Sequence, residues 1–105
     1  NAIEFLKDVS TDDAVLNTVI KGSLGDAFWA KGDTEKALDY FEEAANTSKN
    51  KAVAPVYLMK AGNVALSLKE FGKAEELFAS IKENFPSSSQ ASNIDLYINQ
   101  AKYAN

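Results

Sequence analysis

The residues of this chain that could perform chemistry are its carboxylates, which include three adjacent acidic pairs: Asp12-Asp13, Glu42-Glu43 and Glu75-Glu76. Two carboxylates held close together can act as general acid and base or bind a metal ion. Neighbouring residues of an α-helix point about 100° apart, so such pairs do not converge on one atom. We interpret the two glutamate pairs as solvated helix faces and Asp12-Asp13 as the capping of a helix that begins after Ser10-Thr11.

Several functional classes are disfavoured by composition. The chain contains no cysteine and no histidine, which removes disulfides, thiol nucleophiles, the usual zinc sites and the side chain most used for proton transfer near neutral pH. All 11 basic residues are lysines, scattered along a chain with a net charge of -4, so no basic stripe is available to bind nucleic acid. We expect a protein that is not an enzyme and needs no metal or cofactor.

The chain has the length and apolar content of one folded domain spanning residues 1–105. No run approaches the roughly 20 apolar residues that a bilayer span requires, and residues 1–4 lack the layout of a signal peptide. We therefore expect a single domain without direct membrane contact.

Small and aromatic residues recur in the same order at a spacing of 37 residues. The matching pairs are Gly25 and Gly62, Ala37 and Ala74, Phe41 and Phe78, and Ala44 and Ile81. A partial earlier copy consists of Ala2, Leu6 and Val9, which stand 35 residues before Ala37, Phe41 and Ala44. Such a period indicates stacked units, each built from one supersecondary structure.

Each copy is predicted to be helical, because apolar residues recur at steps of three and four. Gly32-Asp33 separates two helices in the first copy, and Asp33 is a suitable N-cap. Pro55 suits a first helical turn, and residues 87–89 offer serine caps to a last helix. Helices are expected at about 1–9, 13–31, 34–47, 53–68, 71–84 and 88–103.

With these residues in place, the chain resembles the tetratricopeptide-repeat family, whose unit is a helix–turn–helix of about 34 residues. The matching residues are Leu24, Gly25, Phe28, Gly32, Ala37, Phe41 and Ala44 in one unit, and Gly62, Phe71, Ala74, Phe78 and Pro86 in the next. The resemblance implies an all-α solenoid, a right-handed superhelix of stacked units. Its parts would be the second helix of a truncated unit (1–10), two units (13–47 and 53–86) and a closing helix (88–103).

Some positions depart from the family pattern. Lys21 and Leu58 replace its tryptophan, Lys49 replaces a proline, and Lys69 replaces a turn glycine. The three residues in excess of the family spacing are placed in the polar connection at 46–51. The chain also looks like the C-terminal repeats of bacterial proteins with an upstream transmembrane anchor, which favours the periplasmic side of the cell envelope.

In this family the first helix of each unit lines a concave groove that binds ligands. By this resemblance the groove residues are Val19, Gly22, Asp26, Trp29 and Ala30, then Val56, Met59, Asn63, Leu66 and Ser67, and last Asn93, Tyr97 and Gln100. Of these, the candidate binding residues are Asp26, Trp29, Met59, Asn63, Leu66 and Tyr97. Trp29 either forms a binding hot spot or packs between adjacent helices, and Met59 is either an adaptable contact or core filler.

Some members of the family hold the terminal carboxylates of a peptide with lysine and asparagine at fixed groove positions. Here those positions read Gly22, Asp26, Met59 and Asn63. Only Asn63 fits, and Asp26 would repel a carboxylate. We therefore do not expect that specialised activity.

Two functions remain open. The first is a non-catalytic protein–protein interaction scaffold that binds a peptide or protein segment in the groove. The alternative is a structural spacer or self-assembly element whose units stack on like units, with self-association through an uncovered face formed by Ala2, Phe5, Leu6 and Val9.

Overall fold

Six α-helices succeed one another in the computed structural model, which describes residues 2–9, 11–48 and 50–104. They are α1 (Ala2–Asp8), α2 (Ala14–Lys31), α3 (Thr34–Thr47), α4 (Ala54–Ser67), α5 (Phe71–Asn84) and α6 (Ile94–Lys102), and a 3-10 helix (Ser89–Asn93) precedes α6. Each α-helix packs against the next one in the chain. Within the described ranges there is no strand, and none of the helices is long and apolar enough to cross a membrane. The fold is all-α.

Four of the predicted helices, α2 to α5, are confirmed to within one residue at each end. The single helix predicted over 88–103 is wrong in its first six residues, because residues 89–93 form a 3-10 helix and α6 follows it. Side-chain hydroxyls there bond to the local backbone: Ser88 Oγ accepts from Ala91 N at 3.2 Å, and Ser92 Oγ donates to Ser89 O at 2.6 Å. Such local bonds compete with the α-helical ladder, so α6 begins only at Ile94.

Two aspartates cap helices as the sequence predicts. Asp13 Oδ1 accepts from the backbone N–H of Val15 (2.9 Å) and Leu16 (3.1 Å) at the start of α2. Asp33 Oδ1 accepts from Lys36 N at 3.3 Å at the start of α3. Each carboxylate satisfies amide donors that have no partner within the first helical turn.

The turns that end α2 and α4 share one geometry at positions 37 residues apart. Gly32 has a φ of 93° and Lys69 a φ of 62°, so both lie in the left-handed region. Their N–H groups donate to Trp29 O and Leu66 O, each at 3.0 Å. A residue with a Cβ is disfavoured in this conformation. The lysine that replaces the turn glycine therefore keeps the turn at the cost of local strain.

Aromatic rings of α3 and α5 pack directly onto glycines of the helix before each of them. A Cβ atom placed on Gly25 would lie 2.6 Å from the Phe41 ring, and one on Gly62 would overlap the Phe78 ring even more closely. Both rings are buried, as are Ala37 and Ala74. The close helix approach that the small residues predict is confirmed, and these rings form the centre of the core.

The first helix is held less firmly than the others. No residue of α1 is fully buried, and of its apolar side chains only those of Ile3 and Leu6 pack against the core. The predicted uncovered face is confirmed for Ala2, Phe5 and Val9, whereas Leu6 is half-buried because it packs against the core.

An ion pair joins α3 to α5, with Lys73 Nζ 3.3 Å from Glu42 Oε2. The hydrogen bond from Lys73 to Glu42 and the attraction of that carboxylate raise the pKa of Lys73 above its ordinary value of 10.5. Because the folded pKa is the higher one, the pair stabilises the fold fully below pH 10.5, and this stabilisation is lost as the pH rises through the folded pKa.

We expect Gly62→Ala to lower the free energy of unfolding by about 1–2 kcal/mol, because overpacking against Phe78 outweighs the helix-propensity gain of alanine. The matched control is Gly72→Ala in α5, whose new Cβ would meet nothing within 4 Å. It should leave stability unchanged or raise it by up to about 1 kcal/mol. Urea unfolding followed by circular dichroism measures both, and equal effects of the two substitutions would contradict the packing described here.

We expect Glu42→Gln to return the pKa of Lys73 towards its ordinary value, since the substitution removes the charge that favours the ammonium form. The Lys73 Cε chemical shift, followed by NMR above pH 9, reports this pKa directly. Both side chains are partly exposed to solvent, so the free energy of unfolding at neutral pH should fall by no more than about 1 kcal/mol. An unchanged Lys73 titration would rule the pair out.

Candidate functional site

One side of α2 presents apolar side chains to solvent. Val15, Val19 and Trp29 are 72%, 51% and 46% exposed. With Gly22 and Asp26 between them, they recur at steps of three and four residues and therefore share one helix face. The opposite face of α2 supplies Ile20, Leu24 and Phe28 to the core. Since α2 is apolar on both faces, one apolar stripe remains outside the core.

The fourth helix lies alongside this stripe and is joined to α2 at two points. The Tyr57 ring packs on Gly22, where a Cβ atom would overlap the ring. Lys60 Nζ lies 3.1 Å from Asp26 Oδ1. Gly22 was predicted to line the groove, but it is buried, because Tyr57 fills the space above it. The surface that α2 and α4 share is called the α2–α4 surface below.

Lys60 is a residue of this surface that the sequence analysis missed. Its Nζ atom also lies 5.5 Å from the centroid of the Phe41 ring and 5.8 Å from that of Tyr57. Asp26 is therefore paired with a cation rather than left to repel a ligand carboxylate. The two side chains are 42% and 59% exposed, so solvent screens the pair and it is weak. The 34 residues between the two positions explain why no local pattern revealed the contact.

The six predicted binding residues divide into two groups. Asp26, Trp29 and Asn63 are exposed on α2 and α4, and Asn63 is one turn beyond Lys60 on the same face. The others are half-buried and packed against the core: Met59, Leu66 and Tyr97. The ring of Tyr97, on α6, lies 5.3 Å from that of Phe78. Trp29 is thus a surface residue, and Tyr97 is tied to α5 rather than to the exposed trio.

An apolar cleft of about 360 Å³ continues the α2–α4 surface towards the start of α2. Its walls are α2, the start of α4 and the connection between α3 and α4, with the residues Ala14, Val15, Thr18, Val19, Ser48, Asn50, Val53 and Tyr57. Asn50 shapes this connection, because its Oδ1 accepts from Ala52 N at 2.8 Å and its backbone O from Ala54 N at 3.0 Å. The connection around Asn50 therefore forms one wall. Of the insertion predicted at 46–51, residues 46 and 47 belong to α3, and Lys49 lies outside the described residues.

Most of the cleft was missed from the sequence, which identified only Val19 among its apolar residues. The available signal was the width of the apolar pattern in α2, where Val15 and Leu16 are both adjacent in sequence and exposed. A wider opening of about 500 Å³ lies between the connections at Lys51 and at 84–90. None of the large exposed apolar side chains lines it.

The adjacent acidic pairs do not converge. Glu42 binds Lys73 of α5, whereas Glu43 binds Lys21 of α2 at 3.0 Å, so these two carboxylates do not converge, as predicted. The predicted solvated face is wrong for Glu42, whose side chain is only 24% exposed because it packs beside Lys73. Among residues 2–9, 11–48 and 50–104, no three carboxylates lie close enough together to hold a metal ion.

Fluorescence can report the environment of Trp29, since it is the only tryptophan of the chain. We expect the native protein to show the red-shifted emission of a solvated indole and ready quenching by acrylamide. Trp29→Phe should remove the signal and change the free energy of unfolding by less than about 0.5 kcal/mol, as for other surface substitutions. Blue-shifted, shielded emission that changes only on unfolding would instead place the ring between helices.

Comparison with known proteins adds no relative. No family model, curated protein or solved structure matches the chain. The function proposed next therefore depends on the residues and contacts described above.

Proposed function

We propose that this chain is a scaffold of tetratricopeptide-repeat type that acts by binding, and that its α2–α4 surface holds a segment of a partner protein. The main support is that Val15 and Val19 are exposed and line an apolar cleft, and that Trp29 is exposed farther along the same face of α2. Grouped apolar exposure of this kind marks interaction sites in soluble proteins, and tryptophan is enriched in their hot spots.

The assignment of the fold to stacked repeat units is part of the same proposal. It is supported by contacts that recur 37 residues apart: the glycine–phenylalanine contacts of Gly25 and Gly62, and the left-handed turns at Gly32 and Lys69. Because the chain resembles anchored envelope proteins, the proposal includes a location: binding takes place on the periplasmic side of a bacterial envelope.

The geometry of α2 specifies what the partner must supply. Val19 and Trp29 are ten residues apart, which is about 15 Å along a helix. A partner segment would place one apolar side chain in the cleft at Val19 and a second against the Trp29 ring. Between these anchors it would meet Asp26, Lys60 and Asn63, which together offer a carboxylate, an ammonium group and an amide.

Crosslinking at single positions tests this function. A photoreactive amino acid at position 19 or 29 should capture the same partner from native lysate, identified by mass spectrometry. Control positions are 96 and 103, where Leu96 and Tyr103 are as exposed as Val15 but lie at the other end of the chain. Equal capture at all four positions would count against a specific surface.

With the partner purified, we expect the double variant Val19→Asp, Trp29→Ala to bind at least tenfold more weakly, because both apolar anchors are lost. Leu96→Ala should bind as the unmodified chain does, and circular dichroism would show that both variants fold. Titration calorimetry measures the difference. An unchanged dissociation constant for the double variant would refute the assignment of the site.

A further inference from the structure

The outer face of α1 is formed by residues whose counterparts in α3 are covered. Ala37, Phe41 and Ala44 of α3 are buried against α2, and their counterparts 35 residues earlier are Ala2, Leu6 and Val9. Of these counterparts, Ala2 and Val9 are exposed and Leu6 is half-buried. Tyr40 stacks on Phe28 with centroids 5.4 Å apart, whereas its counterpart Phe5 is 71% exposed.

Two lysines mark where the inner side of α1 lies relative to α3. Lys7 of α1 and Lys36 of α3 both lie over the Phe28 ring, 5.5 and 5.3 Å from its centroid. Their counterparts, 35 and 37 residues later, are Glu42 and Lys73, which form the ion pair between α3 and α5. Two lysines cannot form an ion pair, so the correspondence is one of position: α1 lies beside α2 and α3 as α3 lies beside α4 and α5. The exposed face of α1 therefore corresponds to the face of α3 that packs against the preceding helix, α2.

The contacts between α2 and α3 show which residues a helix needs in order to pack on such a face. Gly25 accepts the Phe41 ring, Phe28 stacks on Tyr40, and Lys21 pairs with Glu43 at 3.0 Å. The two helices are antiparallel, because residues later in α2 contact residues earlier in α3. The counterpart of Glu43 in α1 is Asp8, another carboxylate, so a lysine would again complement the charge.

We propose that the outer face of α1 (Ala2, Phe5, Leu6, Asp8 and Val9) binds an antiparallel amphipathic helix of a partner segment. That helix presents a lysine, a glycine four residues later and an aromatic residue three after that, the spacing of Lys21, Gly25 and Phe28. The lysine pairs with Asp8, the glycine admits Leu6, and the aromatic ring stacks on Phe5.

A second copy of the chain is a poorer occupant. Its α6 would have to cover α1 in the way that α2 covers α3. The α2 positions 21, 25 and 28 correspond to Leu58, Gly62 and Ala65 in α4. Another 37 residues later, in α6, the corresponding residues are Asp95, Asn99 and Lys102. An asparagine replaces the glycine, and Asp95, the counterpart of Lys21, would face Asp8 with like charge. α1 itself contains no glycine to receive Leu6 of another α1.

A peptide with the sequence of residues 13–31 supplies the required pattern, because it contains α2 and its capping Asp13. Added to the ¹⁵N-labelled full chain, it should bind saturably at one to one, with amide shift changes concentrated in residues 2–9. Phe5→Asp in the chain and Gly25→Leu in the peptide should each weaken binding at least tenfold. Leu96→Asp and Trp29→Ala in the chain should leave it unchanged, which separates this site from the α2–α4 surface.

A charge exchange tests the predicted register. The chain variant Asp8→Lys should bind the Lys21→Glu peptide about twofold to fivefold better than it binds the unmodified peptide, as for an exposed ion pair. Absence of shifts in α1 at millimolar peptide would overturn the proposal, as would shifts centred on Trp29. Sedimentation showing that the free chain is already a dimer through α1 would also overturn it, because a second copy would then occupy the face.

Discussion

The contact of an aromatic ring with a glycine on the facing helix sets the arrangement of this molecule. Phe41 lies on Gly25, Phe78 on Gly62 and Tyr57 on Gly22. In each case the ring occupies the volume that a Cβ atom would fill, so the helices approach more closely than larger side chains would permit. The first two contacts set the distance between consecutive helices, and in the third the Tyr57 side chain reaches from α4 to α2. The α2–α4 surface exists because all three hold together.

Much of the fold could be predicted because its determinants are local. Asp13, Asp33 and Gly32 act within a few residues of their own positions, so their types alone indicated where helices begin and end. The start of α6 could not be predicted in this way, since serine hydroxyls there bond to the local backbone in place of the α-helical ladder. Helical spacing alone does not reveal that competition.

The candidate site was predicted less completely than the fold. Trp29 and Asp26 were identified by their place on α2, but the partner of Asp26 is Lys60, which is 34 residues away. The cleft depends on how the connection around Asn50 folds back against Val15, and this direction follows from tertiary packing rather than from residue type. A contact between side chains of two helices cannot be predicted from the residue pattern of either helix alone.

The weak packing of α1 against the rest of the fold allows this helix to open locally. A helix with no fully buried residue can detach from α2 without disturbing the rings of Phe41 and Phe78, so its opening costs less free energy than unfolding of the whole chain. Amide hydrogens of α1 therefore exchange with solvent through local opening, while those of α3 to α5 depend on larger disruptions. Anything that covers α1 therefore stabilises the folded state at that end of the chain.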